Sequence, residues 1–158
     1  MKQYKSKVAL VCSRLYAERA RYVMVGATAM QLWGTSRATN DIDILIEPTA
    51  KNAKRVLRAL GSVGFGLANE LVAEDVASRP VTIVGDTPNV DILTSAWNLK
   101  WAQAQAHATT FKVEGVPIPA ASIEDLIESI RTGRPQDTAD ILVLEAMRKM
   151  GAGSDSRR

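Results

Sequence analysis

The chain has few of the residues on which several common kinds of site depend. Its 158 residues include a single cysteine, Cys12, and a single histidine, His107. One cysteine excludes an intramolecular disulfide, and the two residues together are too few for a zinc site made of cysteine and histidine. Aromatic residues form only 5% of the chain. Core packing accounts for so few scattered rings better than a base-stacking surface does.

A long apolar run near the start of the chain is also lacking. The polar and basic residues 1–7 precede an apolar run that Ser13, Arg14 and Glu18 interrupt, which is too soon for a secretory signal or a membrane span. The net charge is only +3, and the basic residues are scattered apart from the last two. This balance favours a polyanionic partner only weakly. We therefore expect a soluble, cytoplasmic protein.

Apolar residues are plentiful enough for one domain. They form 46% of the chain, which suffices for one core, while the length is too short for two ordinary domains. We predict a single domain over residues 1–150. Residues 151–158, in which Ala152 is the only apolar residue, are predicted to form a disordered tail.

Hydrophobic spacing in the first half predicts helices that alternate with strands. The predicted elements are a helix from about Val8 to Arg19, a strand at 22–25, a helix at 27–33, a strand at 41–46 and a helix from Thr49 to Gly61. Residues 62–78 fit either a short strand or a loop followed by a helical turn, and both alternatives stay open.

The second half has the pattern of two hairpins and three helices. Strands at 81–84 and 89–93 flank a turn at 85–88, and strands at 109–113 and 116–119 flank Glu114-Gly115. The first helix is predicted at 97–107. The second follows Ser122, where Ser-Ile-Glu-Asp has the form of a capping box, and ends at Gly133. The third begins at Pro135 and turns Ile141, Leu142, Leu144 and Met147 inward.

Two aspartates one residue apart are the most informative feature present. Asp41 and Asp43 alternate with Ile42, Ile44 and Ile46, so the carboxylates share one face of the strand and the isoleucines share the other. Like charges that close repel, and aspartate is disfavoured in strands. A solvent-facing strand would leave this repulsion uncompensated, whereas a divalent cation would compensate it. Mg²⁺ prefers oxygen ligands and is the natural candidate.

Asp91 places a third carboxylate in the apolar run at 89–93. If that strand lies beside the first, three carboxylates converge, as two-metal phosphoryl or nucleotidyl transfer requires. Asp41 and Asp43 would then hold the ion that binds a triphosphate and would bridge to a second ion. Asp91 would ligate the second ion and help to deprotonate the attacking hydroxyl. These three residues are the predicted metal ligands and catalytic residues.

A glycine turn precedes the aspartates. Gly26 follows the first predicted strand and opens a helix, where exposed backbone N–H groups can bind phosphate oxygens. Ala27 offers its N–H group and Thr28 a hydroxyl, so the three residues form the predicted nucleotide-binding turn. Gly26 alone could simply end a strand, and its significance comes from the aspartates that follow. Arg37, in the intervening loop, could contact phosphate or be a surface charge.

Two further groups of residues have both a structural and a functional interpretation. Trp97 and Trp101 would share a face of the predicted helix, where they could pack against the core or form a platform for an acceptor. The basic residues within 51–58 would form a solvated helix face or contact RNA.

These motifs resemble those of the nucleotidyltransferases of the DNA polymerase β-like superfamily: an apolar strand, a glycine turn, a spacer, Asp-x-Asp and a later lone strand aspartate. More narrowly, the chain resembles the small stand-alone members that include the AbiEii-type toxins. The residues that carry the resemblance are Val25-Gly26, Gly34, Arg37, Thr39 and Asp41-Ile42-Asp43, with Ser122 to Ile127, Gly133-Arg134, Asp137 and Asp140-Ile141 in the C-terminal part.

The resemblance implies an α/β protein of the α+β type, with a mixed β-sheet, helices packed on it and the nucleotidyltransferase (polymerase β-like) fold. It also implies Mg²⁺, an NTP as substrate and transfer of a nucleoside monophosphate to a hydroxyl of RNA, a protein or a small molecule. The narrower similarity implies a toxin–antitoxin component. The same similarity makes an antitoxin an expected partner. Because little chain follows Asp91, either the acceptor is small or another subunit, such as a second copy of the chain, supplies the surface that holds it. The alternative is a catalytically silent protein that binds nucleotide or a partner on the same fold.

Overall fold

The computed structural model describes residues 3–85 and 89–151, and these residues form six β-strands and seven α-helices. The first half contains α1 (Lys7–Ala17), β1 (Tyr22–Val25), α2 (Gly26–Trp33), β2 (Ile42–Ile46), α3 (Ala50–Gly61), a 3₁₀ helix (Gly66–Glu70) and α4 (Ala73–Ser78). The second half contains β3 (Val81–Val84), β4 (Val90–Leu93), α5 (Trp101–His107), β5 (Thr109–Val113), β6 (Val116–Ala120), α6 (Ile123–Ser129) and α7 (Pro135–Gly151).

All six strands belong to one mixed sheet with the order β3-β4-β2-β1-β6-β5. β2 pairs antiparallel with β1 and parallel with β4, while β6 pairs parallel with β1. The antiparallel hairpins β3-β4 and β5-β6 form the two ends of the sheet. The predicted mixed sheet is thus confirmed, and β2, which carries Asp43, lies inside it.

The predicted elements of the first half lie where the spacing places them. Thr49 caps α3 because its side chain accepts a hydrogen bond from the N–H of Asn52, which explains why the helix begins directly after β2. The buried Asn52 side chain also bonds backbone groups of Arg21 and Glu47. It thereby ties α3 to the start of β1 and the end of β2.

The apolar faces of these elements form the core. α1 buries Ala9, Val11, Cys12 and Leu15, and β2 buries Ile42, Ile44, Leu45 and Ile46. Burial raises the pKa of the Cys12 thiol to about 12, so this residue packs as an uncharged apolar side chain. Nowhere in the described parts of the chain is a helix both long and apolar enough to cross a membrane.

The segment at 62–78 contains the 3₁₀ helix and α4, which correspond to the second alternative, a loop followed by a helical turn. The two short helices bury Ala68 and Val76. The Asn69 side chain lies against Gly61, where an added Cβ would come within 2.2 Å of Asn69 Oδ1. This close approach holds the segment against the end of α3.

The helix predicted at 97–107 begins later than expected, at Trp101. Trp97 has a φ of 55° and lies in a turn that Ala96 and Leu99 close with two backbone hydrogen bonds. The prediction that Trp97 and Trp101 share a helix face is therefore wrong, because the helical spacing does not extend through this turn. Trp97 is exposed, whereas Trp101 packs against the core.

The C-terminal elements agree with the predictions except in three details. Ser122 caps α6 as predicted, but the helix ends at Ser129, before Gly133. Leu142 is 65% exposed and does not face inward, while Leu144 is buried. Gly151, the first residue of the predicted tail, is the last residue of α7. Residues 152–158, like the turn residues 86–88, lie outside the described residues.

Candidate active site

Asp43 and Asp91 lie side by side on neighbouring strands. β2 and β4 run parallel, and their register pairs Asp43 with Asp91. Paired residues of adjacent strands point to the same face of a sheet. The two carboxyl groups are close enough to hydrogen-bond when one is protonated. The sequence predicted that the carboxylates converge if their strands are adjacent, and the two strands are adjacent.

Gly26, the first residue of α2, lies beside this pair of carboxylates. It begins α2 with a φ of 68°, and a Cβ at this position would lie 2.1 Å from Asp43 Oδ2. The N-cap residue, Val25, makes no side-chain hydrogen bond to the helix. The first N–H groups of α2 thus lie beside a carboxylate without a side-chain cap, as the predicted phosphate turn requires.

Burial and mutual repulsion raise the pKa of both carboxyl groups. Burial, with the charges of Asp91 and Asp41, raises the pKa of Asp43 to about 7. Burial and the Asp41 charge also raise the pKa of Asp91. Asp91 Oδ1 is buried and has no hydrogen-bond partner within the described structure. An unpartnered buried carboxylate oxygen is costly, and a cation or a hydroxyl at this point would remove the cost.

Asp41 lies just before β2, where its backbone is held on both sides. Its N–H donates to Thr39 Oγ1 at 3.0 Å, and its carbonyl accepts from Thr28 Oγ1 at 2.8 Å. The side chain stays exposed, and its charge acts on both Asp43 and Asp91. The structure thus brings the three predicted carboxylates into one neighbourhood, with Asp41 at its solvent side.

Thr28 and Arg37 have structural partners in this arrangement. The buried Thr28 side chain joins α2 to the start of β2 through the bond to Asp41. Arg37 Nε lies 3.4 Å from Asp140 Oδ2, and Gln136 donates to the other oxygen of Asp140 at 3.0 Å. The loop before β2 is therefore tied to α7. A role for Thr28, Arg37 or Ala27 in binding nucleotide stays a prediction.

Two of the side-chain interactions in the structure have no signal in the sequence. Arg37 and Asp140 are 103 residues apart, so no local spacing pairs them. The imidazole of His107 lies 3.0 Å from the buried carboxylate of Asp125, although its sequence context indicates only an exposed residue. Such long-range pairs require the tertiary structure.

The carboxylates suit a cation that arrives with its substrate. Within residues 3–85 and 89–151, no group of three or more His, Cys, Asp or Glu side chains is arranged so that it could hold a metal ion. Mg²⁺, however, is commonly bound by one or two carboxylates together with substrate phosphates and water. Asp43 and Asp91 supply two carboxylates, and Asp91 Oδ1 has no other partner. The residues present fit such an ion.

Comparison with known proteins supports the fold. No family model matches the chain, and no curated protein matches its sequence. Among solved structures, it is similar to a protein from Thermotoga maritima described as a "putative nucleotidyltransferase". The two chains are 17% identical with a TM-score of 0.54, over 93% of this chain and 91% of the other. The predicted nucleotidyltransferase fold is thus confirmed; the likeness concerns the fold alone.

Proposed function

We propose that this protein is a Mg²⁺-dependent nucleotidyltransferase, which transfers a nucleoside monophosphate from an NTP to an acceptor hydroxyl. The observation that carries the proposal is the pairing of Asp43 with Asp91 directly beside the Gly26 turn. Half-buried carboxylates that repel one another, beside helix N–H groups without a side-chain cap, are suited to a cation and a phosphate bound together. The fold of the similar structure supports the same general class.

The three aspartates would share the cation sites. Asp41 and Asp43 would supply carboxylate oxygens to the ion that accompanies the triphosphate, and Asp43 and Asp91 would supply them to a second ion. Bound there, the ions would neutralise the charge that develops on the α-phosphate and on the departing pyrophosphate. Positive charge at this point would also lower the raised pKa of Asp43 and keep it ionised.

The remaining chemistry belongs to the chain itself. The N–H groups of Gly26 and Ala27 would bind phosphate oxygens and orient the α-phosphorus. Asp91 would accept the proton of the acceptor hydroxyl. The hydroxyl oxygen then bonds to the α-phosphorus as the bond to pyrophosphate breaks, and the proton passes through Asp91 to solvent.

Calorimetric titration with ATP, GTP, CTP and UTP, with and without Mg²⁺, tests this proposal. We expect one or more nucleotides to bind only with Mg²⁺. Asp43→Asn and Asp91→Asn should each weaken this binding by about tenfold or more, because each removes a charged ligand. Asp75→Asn is the matched control, since Asp75 is exposed on α4 and its carboxylate pairs with Arg79, its one ion-pair partner in the part of the chain that the structure describes.

A folded wild-type protein that binds none of the four nucleotides would contradict the proposal. That result would leave the alternative, a catalytically silent protein that binds a partner on the same fold. Binding that persists unchanged in both asparagine variants would contradict the assignment of the carboxylates.

A toxin role is the narrower form of the proposal. It is supported by the resemblance of the motifs within residues 25–43 and 122–141 to those of the small stand-alone members that include the AbiEii-type toxins, and it makes an antitoxin the expected partner. Induced expression in a bacterial host should then slow growth, and Asp43→Asn should restore growth at equal protein level. Equal growth with both proteins would argue against a toxin.

A further inference from the structure

A cavity of about 280 Å³ adjoins the candidate active site. It lies between the start of α1, one side of α2 and the loop that precedes β2. Lys7, Thr39, Asn40 and Asp41 are among the residues that line it. Asp41 thus borders the cavity and also acts electrostatically on the carboxylate pair.

Besides Asp41, this cavity is lined by three residues whose side chains can donate hydrogen bonds, Lys7, Thr39 and Asn40. Lys7 is exposed, and neither it nor Asn40 has a hydrogen-bond or ion-pair partner among the described residues. Thr39 Oγ1 accepts a bond from the N–H of Asp41, so its proton is free to be donated. By contrast, Thr28 and Gln31 already donate to carbonyl oxygens of the loop. Among the described residues, the Lys7 ammonium group, the Asn40 amide and the Thr39 hydroxyl proton therefore have no acceptor, and all three belong to residues that line the cavity.

The backbone that carries Lys7 is anchored. Ser6 caps α1 by accepting a hydrogen bond from the N–H of Ala9 at 3.0 Å. The carboxylate of Glu114, in the β5-β6 turn, accepts from the N–H groups of Lys5 and Ser6 at 2.8 and 2.9 Å. Lys7, the first residue of α1, thus extends from a fixed point, which reduces the entropy lost when its ammonium group binds an anion.

We propose that this cavity binds the β- and γ-phosphates of the NTP through Lys7, Thr39 and Asn40. The inference rests on the proposed function and assigns the polyphosphate part of the substrate to residues outside the Gly26 turn. A polyphosphate chain matches the cavity because it is an acceptor at every oxygen and carries negative charge opposite Lys7. Asp41, at the rim, would meet the same phosphates through the cation.

Inorganic tripolyphosphate, titrated in EDTA at low ionic strength, tests the cavity without any metal. We expect Lys7→Gln to weaken its binding about tenfold and Asn40→Ala about threefold, because a charge-assisted bond contributes more than a neutral one. Lys5→Gln is the matched control, because it makes the same charge change two residues away and Lys5 does not line the cavity. This control should change the affinity less than about twofold. Thermal unfolding checks that all variants are folded.

A second titration, with Mg²⁺ present, separates the phosphates. Lys7→Gln should weaken binding of the nucleoside triphosphate and leave that of the nucleoside monophosphate unchanged. Equal losses for Lys7→Gln and Lys5→Gln would overturn the proposal, since only net charge would then matter. The proposal would also be overturned if the wild type binds Mg²⁺ and NTP and Lys7→Gln binds them equally well. That result would leave the proposed function intact. In a third outcome, Lys7→Gln loses tripolyphosphate binding but the wild type shows no Mg²⁺-dependent nucleotide binding. The cavity would then be an anion site, and the proposed transferase function would be refuted.

Discussion

Within the candidate site, Gly26 is the residue that tolerates a side chain least, because Asp43 lies so close to it. An added Cβ would lie 2.1 Å from Asp43 Oδ2 and 3.0 Å from its Cγ. The φ of 68° is also one that residues with a side chain rarely adopt. Glycine is required here for two reasons, space and backbone conformation.

We expect Gly26→Ala to lower the free energy of unfolding by about 2 to 4 kcal/mol, because it combines backbone strain with displacement of a buried carboxylate. We also expect it to abolish Mg²⁺-dependent nucleotide binding, because Asp43 cannot keep its place beside Asp91. Urea unfolding and calorimetry measure the two effects.

Gly133→Ala is the matched control for this change. Gly133 has a comparable φ of 83°, but an added Cβ would have no neighbour within 4 Å. It should show the strain alone, about 1 kcal/mol, with nucleotide binding unchanged. Equal effects of the two substitutions on stability and binding would mean that the contact with Asp43 is unimportant.

Among the elements, α5 and α6 are joined by one buried carboxylate. Asp125 accepts a hydrogen bond from Gln103 Nε2 at 2.9 Å and lies 3.0 Å from His107 Nδ1. The sequence places Asp125 at the acidic position of a capping box, whose side chain would bond back to the N-cap residue. Only half of that motif forms, because the carboxylate bonds α5 instead. Ser122 still caps α6.

We expect Asp125→Ala to destabilise the protein by about 2 kcal/mol, since it removes a buried acceptor and leaves two polar groups of α5 without their partner. Ser122→Ala should cost about 1 kcal/mol, the usual effect of losing a helix cap. Urea unfolding measures both variants.

Glu128→Ala serves as the control on the same helix, because Glu128 forms only an exposed pair with Arg131. It should change stability by less than about 0.5 kcal/mol. If Asp125→Ala costs no more than this control, the link between α5 and α6 does not contribute to stability.

At the scale of the whole molecule, the carboxylate pair couples stability to pH. The pKa of Asp43 is about 7 in the folded protein, against its usual 3.8, so the folded state binds this proton more tightly than the unfolded chain. The resulting stabilisation is complete below the usual pKa and is lost as the pH rises through about 7. Without a cation, the fold therefore carries a cost at neutral and alkaline pH.

We expect metal-free wild-type protein to lose roughly 4 kcal/mol of stability relative to Asp43→Asn between about pH 4 and pH 8, because one pKa unit corresponds to about 1.4 kcal/mol. Urea unfolding in EDTA across this range measures the difference. At the upper end, Mg²⁺ should raise the melting temperature of the wild type and not that of Asp43→Asn. Parallel pH profiles for the two proteins would contradict this coupling.

Much of the fold was predictable because its elements depend on local chemistry. A few neighbouring residues are enough to predict each of three features. These are the alternation around Asp41 and Asp43, the cap at Thr49 and the turn at Glu114-Gly115. The prediction failed at Trp97, where a residue with positive φ interrupts an apparent helical spacing. It also failed at Leu142, because the spacing of α7 does not show which of its faces packs against α6.

By itself, the sequence determined which residues could carry chemistry, since Asp43 and Asp91 conflict with the apolar strands that carry them and Asp41 adds a third charge beside them. The tertiary structure decided that Asp43 and Asp91 are neighbours, because β4 pairs with β2 across a long stretch of chain. It also placed Lys7, Asn40 and Asp41 around one cavity and Asp140 beside Arg37. The residues in these contacts are far apart along the chain, and no periodic pattern of the sequence pairs them. Strand order and helix packing therefore establish the contacts.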